Sequence, residues 1–162
     1  MSLAFELLMG IAMVGAIDVL YFHLYRHRLY ARPDSLAENV THLLRHLLFL
    51  ALTLGLLSGT GKPFLIGVLV VDLVNNVIDL ALERESRRAL DGLSPLESVL
   101  HGLASVGMGT VLLAVVLGPA TWSLSSMQHV RGLVTVVLGL ALFGAECSLV
   151  MMNARSRRPV TT

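Results

Sequence analysis

Five long apolar runs, separated by short polar stretches rich in Pro, Gly, Ser and Arg, divide this chain. Each run holds about 20 residues or more, the length that an α-helix needs to cross a bilayer. We therefore expect an all-α integral membrane bundle that forms a single domain over residues 1–152. The predicted spans are about 3–30, 36–57, 63–90, 95–117 and 130–152, and a disordered tail is predicted at 153–162.

Two helix starts carry a capping signal. Ser35 is followed three residues later by Glu38, and Ser94 is followed by Pro95 and then Glu97. In such a capping box the serine side chain accepts a hydrogen bond from the backbone N–H three residues on. Proline is also favoured at the first helical position. The pattern predicts that the second and fourth spans begin at these points.

The distribution of basic residues predicts the orientation. Most arginines lie in the first polar stretch, at the end of the third run and in the tail, which five spans place on one side of the membrane. The other side holds only Lys62 and Arg131. The positive-inside rule then puts the N-terminus outside and the C-terminus in the cytoplasm, as in a bacterial inner membrane. Because the start lacks a positively charged n-region, we expect the first span to be retained.

Composition narrows the functional classes. The 162 residues are 55% hydrophobic and 14% charged, with a net charge of +1. The arginines cluster at helix ends and form no basic face, so we do not expect the chain to bind nucleic acid. A single cysteine, Cys147, excludes an intrachain disulfide and a zinc site built from cysteines.

A polar stripe interrupts the third run. At about 100° per residue, Asp72, Asn76, Asp79 and Glu83 fall within about 60° of one another, and Asn75 lies beside them. Ionisable groups at membrane depth cost roughly 2.5 kcal/mol or more each. The stripe therefore predicts polar partners on the helices that face it.

Three other spans carry polar residues four apart, so that each set lies on one helix face. They place imidazoles and carboxylates in two layers of the cytoplasmic half, one turn apart. We predict metal ligands at His23, His27, Glu38, His42, His46, Asp79, Glu83, Glu97 and His101. Supporting residues that orient the ligands or neutralise charge are predicted at Arg45, Asp72, Asn75, Asn76 and Glu146.

This ligand inventory suits two divalent metal ions. Mixed nitrogen and oxygen donors favour iron, and zinc or manganese are alternatives. Asp72 and Glu146 are the expected carboxylate partners of Arg45, which lies too deep to reach the membrane surface. Asp18 lies about 140° around an α-helix from His23, so we expect it to face a different neighbour or a second subunit.

Each set of residues also has a purely structural interpretation. Glu38 and Glu97 are explained by the capping boxes, and histidines beside arginines are common at membrane interfaces. Asp79 and Glu83 can pair with nearby arginines. The metal hypothesis rests on the convergence of four helices at matched depths, which interface polarity does not require of His42 or His101.

We expect an oxidoreductase, similar in chemistry to hydroxylases and desaturases, that acts on a lipid-soluble substrate and takes electrons from a donor protein. The main alternative is a non-enzymatic membrane subunit or a metal-handling or transport protein. A zinc-dependent membrane hydrolase and a bis-His haem protein are further alternatives. His-Glu-x-x-His and vicinal histidines are both absent from the sequence. The pattern leaves a homo-oligomer open.

Overall fold

A computed structural model describes residues 2–88, 92–120 and 122–156. In these ranges all regular structure is helical, and five helices are long and apolar enough to span a membrane. This confirms the predicted all-helical class. The α-helices are α1 (Ser2–Ile17), α2 (Leu36–Leu57), α3 (Lys62–Ser86), α4 (Pro95–Leu117) and α5 (Ser126–Ser156).

The first span is not the continuous α-helix that the sequence predicts. α1 continues as a π-helix over Asp18–Arg26, and the N–H of His27 bonds to the carbonyl oxygen of Phe22, five residues back. The helix then ends because Arg28 adopts a left-handed conformation with φ of 50°. A residue in this conformation is a common helix terminator. The predicted end at residue 30 is therefore late, and residues 29–31 form a separate 3₁₀ turn.

α5 is longer at both ends than the sequence predicts. It begins at Ser126 rather than 130, and it continues through Ser156 into the predicted tail. Asn153 explains the extension, because its side-chain amide donates hydrogen bonds to the carbonyl oxygens of Leu29 (2.9 Å) and Arg32 (2.7 Å). Residues 157–162 of the predicted tail, and residues 89 and 90 of the predicted third span, lie outside the described residues.

At one of the two predicted capping boxes the serine half forms, while the Glu97 side chain contacts Arg87 and His27 instead of the Ser94 N–H. The hydroxyl of Ser94 accepts a hydrogen bond from the N–H of Glu97 at 3.3 Å, as expected. Ser35 makes no such bond, because it ends a 3₁₀ turn that begins at Pro33 and leads directly into α2.

The five helices pack as a ring. Each helix packs mainly on two neighbours, in the order α1, α4, α3, α2, α5 and back to α1. α1, α3 and α5 run in one direction, and α2 and α4 run in the other. The arginine-rich end of the ring is defined here as the end where α3 finishes at Ser86 and α4 begins at Pro95.

The interior of the ring changes character along its axis. Near the opposite end it is filled by apolar side chains, among them Leu8, Leu52, Leu65 and Val115, all fully buried. Towards the arginine-rich end the buried interior becomes polar and charged. This polar half contains the candidate site.

Candidate metal centre

The polar stripe of α3 faces the interior of the ring. Asp72, Asn75, Asp79 and Glu83 are each at most 4% exposed, whereas the intervening Val77 is 61% exposed. The α-helical period separates the two faces, as the sequence predicts. The stripe is therefore enclosed by the other helices, and its carboxylates require partners among them.

The π-helix after α1 places Asp18 in the polar interior of the ring, which the stripe of α3 also faces. In an i→i+5 helix a turn contains more residues than in an α-helix, so residues five apart come close to one face. Asp18 and His23 are five apart, and Asp18 Oδ2 lies 3.4 Å from His23 Nε2. The expectation that Asp18 faces a different neighbour is therefore wrong, because it assumed α-helical geometry in this segment.

Six buried side chains form what we call the histidine–carboxylate cluster. Asp18, His23, His42 and His101 each place a ligand atom within 4.8 Å of the others, and His42 forms a second such group with Asp79 and Glu83. The two groups thus share His42. They come from the π-helix, α2, α3 and α4, and five of the six are predicted ligands.

Direct contacts connect the two groups. His101 Nε2 lies 3.0 Å from Asp18 Oδ2, and its Nδ1 contacts Glu83. His42 Nε2 lies 3.3 Å from Asp79 Oδ2, and the hydroxyl of Thr41 donates a hydrogen bond to the same carboxylate. The six side chains therefore form one continuous cluster.

Several ligand atoms in this cluster converge without hydrogen-bond geometry. Within the described ranges, no hydrogen bond is made by Nδ1 or Nε2 of His23, Nε2 of His42, Nδ1 of His101, Oδ1 of Asp18 or Oε1 of Glu83. Nearly all buried polar groups in proteins have a hydrogen-bond partner. A metal ion bound among these lone pairs would satisfy them, so the residues present fit such an ion.

α5 also contributes to this region. Glu146 is fully buried, and its Oε1 lies 3.5 Å from His23 Nδ1. The sequence predicts Glu146 near the site, but as a partner of Arg45. His46, a predicted ligand, is also buried, and it lines a cavity next to the cluster with Asp18 and His42.

Arg45 contacts three side chains of α3. Its guanidinium lies 3.5 Å from Asp79 Oδ2 and 4.0 Å from Asp72 Oδ1, and it donates a hydrogen bond to Asn76. The predicted pairing with Asp72 is confirmed. Asn75 instead connects the helices, donating a hydrogen bond to the backbone carbonyl oxygen of Thr41 at 2.9 Å.

Arg87 organises a second cluster at the arginine-rich end. Its fully buried guanidinium lies 2.8 Å from Glu38 Oε2 and 2.6 Å from Glu97 Oε1, and Glu97 Oε2 lies 3.2 Å from His27 Nε2. We call Arg87, Glu38, Glu97, His27 and Ser86 the Arg87 cluster, since the hydroxyl of Ser86 also donates to Glu38. The structure thus places three predicted ligands, His27, Glu38 and Glu97, around an arginine.

Burial and neighbouring charges shift two pKa values in the Arg87 cluster. Burial alone would lower the pKa of Arg87, but the carboxylates of Glu38 and Glu97 raise it above its ordinary value. Burial lowers the pKa of His27, and the nearby Glu97 offsets this only in part. A permanent guanidinium between two carboxylates leaves this cluster with a net charge of −1 when His27 is neutral, without a metal ion.

The histidine–carboxylate cluster is not balanced in this way. With Asp72 and Glu146 it brings together five buried carboxylates, and Arg45 is the one guanidinium that faces them among the described residues. The excess of four negative charges equals the charge of two divalent cations. Protonated imidazoles are the other means of balance.

The geometry disfavours two of the alternatives, a bis-His haem protein and a transport protein. A porphyrin needs a flat slot between two imidazoles, but Asp18 Oδ2 lies between His23 and His101, and the rings of His23 and His42 are only 4.4 Å apart. A transport path needs polar groups through both halves of the ring. In the described residues the interior of the opposite half is lined by apolar side chains.

Asp18 and Arg87 are the important residues that sequence reasoning missed. The sequence shows Asp18 as an acidic residue within an apolar run, but the π-helix that orients it has no local sequence signal. The sequence shows Arg87 as one of several arginines at the end of the third apolar run, where the positive-inside rule predicts an interfacial charge. Its burial follows from the fold, since Glu38 and Glu97 approach it from two other helices.

Comparison with protein-family models, with curated proteins and with solved structures finds no match for this chain.

Proposed function

We propose that this chain is a membrane-embedded oxidoreductase with a dinuclear metal centre, iron being the favoured metal, that acts on a lipid-soluble substrate. The observation that carries the proposal is the histidine–carboxylate cluster, in which two adjoining groups of buried ligand atoms share His42. Their nitrogen and oxygen donors suit iron, zinc or manganese. The charge excess of the region fits two divalent ions.

The positions of the ligand atoms assign the residues to two metal ions. Asp18, His23 and His101 would hold one ion, Asp79 and Glu83 the other, and His42 lies between them. Thr41 and Arg45 orient Asp79 through the contacts described above. Bound iron would supply the redox chemistry, with electrons drawn from a donor protein.

The surroundings support a substrate from the bilayer. The five helices suit insertion in a membrane, and the positive-inside rule orients the arginine-rich end towards the cytoplasm. In this orientation the cluster lies in the cytoplasmic half. An apolar cavity adjoins it, which suits a lipid-soluble substrate better than a charged metabolite.

Metal analysis of the purified chain, with an optical spectrum, tests the proposal. We expect about two ions per chain and an iron spectrum, and His42→Ala should abolish metal binding with little loss of assembly. His129→Ala is the matched control, because His129 is exposed at the opposite end of the ring. Folded protein that stays metal-free after reconstitution with iron, zinc or manganese would contradict the proposal. Bound zinc without redox activity would instead favour the hydrolase.

One observation favours a non-enzymatic alternative. Arg45 and the imidazoles already pair with carboxylates, as they would in a metal-free polar core that holds the helices of a membrane subunit together. Under this alternative His42→Ala should chiefly damage assembly. The same variant therefore separates the two functions.

A further inference from the structure

A cavity of about 110 Å³ extends from the histidine–carboxylate cluster into the apolar half of the ring. Asp18, His42 and His101 line its inner end, and Ile11, Leu69 and Leu112 line its other end. Between His101 and Leu112, α4 rises about 16 Å at 1.5 Å per residue. The cavity is therefore elongated and mostly apolar. Its volume is well above the roughly 10–15 Å³ that one water molecule needs.

The cavity reaches the outer surface of the ring between α3 and α4. Leu73 of α3 lines the cavity and is 54% exposed, and Gly109 of α4 lines it and is also exposed. No atom would lie within 4 Å of a Cβ at Gly109, in contrast to Gly107, where a Cβ would lie 2.9 Å from Ile11. Gly107 therefore serves helix packing, whereas Gly109 leaves open space at the mouth of the cavity.

Polar contacts close the α3–α4 seam on both sides of this mouth. Towards the arginine-rich end, the hydroxyl of Ser105 donates a hydrogen bond to Asn76 at 3.2 Å. Towards the opposite end, Lys62 Nζ lies 3.0 Å from the carbonyl oxygen of Val116. The mouth thus lies near the middle of both helices, at the depth of the bilayer centre if the ring spans a membrane.

We propose that this mouth admits the hydrocarbon chain of a membrane lipid, terminal end first, and that the chain lies along α4 with its tip at His42 and His101. Lipid tails end near the bilayer centre, so the terminal part of a chain is the part that meets the mouth. The apolar walls suit methylene groups, and the polar residues are confined to the inner end. This substrate class rests on the proposed function, but its binding requires neither turnover nor metal.

Photolabelling in bilayers tests this route. The probes are a fatty acid with a diazirine at its terminal end, the same acid with the diazirine near the carboxylate, and an isoprenoid alcohol with a terminal diazirine. We expect a terminal probe to label Leu73, Met108 or Leu112, and the carboxylate-end probe to label these positions at least about tenfold less. Whichever terminal probe labels more strongly identifies an acyl or an isoprenoid chain.

Gly109→Phe should block the mouth and lower this labelling about tenfold or more, because the phenyl ring would occupy the open space that a hydrocarbon chain needs in order to enter. Gly67→Phe is the matched control, since Gly67 is exposed on α3 with no atom within 4 Å of its Cβ position and does not line the cavity. Gly109→Leu provides a smaller block should the phenylalanine variant fold poorly.

The inference would be overturned by labelling spread evenly over the exposed faces of all five helices, or by labelling at the mouth that neither Gly109 variant lowers. Metal analysis of the same samples keeps the two proposals apart. About two bound ions without labelling at the mouth would refute the route and leave the metal centre standing. Labelling at the mouth of folded, metal-free protein would do the reverse.

Discussion

The two halves of the ring are built from the same helices but have opposite interiors. In the apolar half, buried side chains such as Phe5, Leu52 and Val115 fill the space with no hydrogen bonds to arrange. In the polar half, the continuations of these helices bury Asp18, His42 and other charged groups. The apolar interior thus requires only side chains that pack closely, whereas the polar interior also requires its buried charges to be balanced.

This difference separates stability from chemistry. Close packing of apolar side chains is enough to hold helices together in a membrane. A buried charge is costly unless it is paired, so the polar half gains nothing from its composition alone. The Arg87 cluster has a net charge of −1 when His27 is neutral, whereas the histidine–carboxylate cluster with Asp72, Glu146 and Arg45 has an excess of four negative charges before any imidazole is protonated. The two clusters should therefore respond differently to mutation.

The largest effect is expected for Arg87→Met. It leaves Glu38 and Glu97 buried without their cation, which should cost about 3–5 kcal/mol of the free energy of unfolding. Denaturant unfolding in detergent measures this loss. Arg88→Met is the control, because the Arg88 side chain is 81% exposed and should change stability by less than about 0.5 kcal/mol. Similar losses in both variants would show that the Arg87 ion pairs do not stabilise the fold.

Leu52→Ala should lower stability by about 2–5 kcal/mol, because it opens a cavity in the apolar half. Bound metal per folded chain should remain the same, since Leu52 lies outside the polar half. Leu54→Ala, at a position that is 50% exposed on the same helix, is the control and should cost much less. Loss of metal from folded Leu52→Ala would mean that the two halves are coupled.

Single-ligand variants should divide the metal content. Asp18→Asn removes a carboxylate from one group only, and Asp79→Asn removes one from the other. Each should lower bound metal from about two ions per chain to about one, as measured by elemental analysis of folded protein. Complete loss in both variants would indicate one inseparable centre, and no loss in either would refute these ligand assignments.

The smallest effect concerns pH. Because the pKa of His27 is lowered in the folded protein, the unfolded chain binds the proton more readily. His27 therefore favours folding above its unfolded pKa of about 6.5, and this contribution is lost as pH falls through that value towards the folded pKa. Stability curves from pH 8 to pH 5 should be flatter for His27→Gln than for the wild type. Identical curves would show that His27 is not shifted.

The helical class and most helix positions followed from the sequence. Apolar runs of membrane-spanning length and the signal at Ser94 are local properties, so the chain alone specifies them. The errors fall at helix ends. Arg28 ends the first helix early through its backbone conformation, and Asn153 extends α5 through bonds to a loop more than 100 residues away in the chain.

The sequence by itself determined that α3 has one polar face and that imidazoles and carboxylates lie on neighbouring helices, because helical periodicity is a local property. Only the tertiary structure decided which of them meet. The π-helix turned Asp18 towards His23, and the ring order brought Glu38 and Glu97 to Arg87 instead of to His42. The physical reason is that buried charges take the partners that packing brings within reach, and packing depends on all five helices at once.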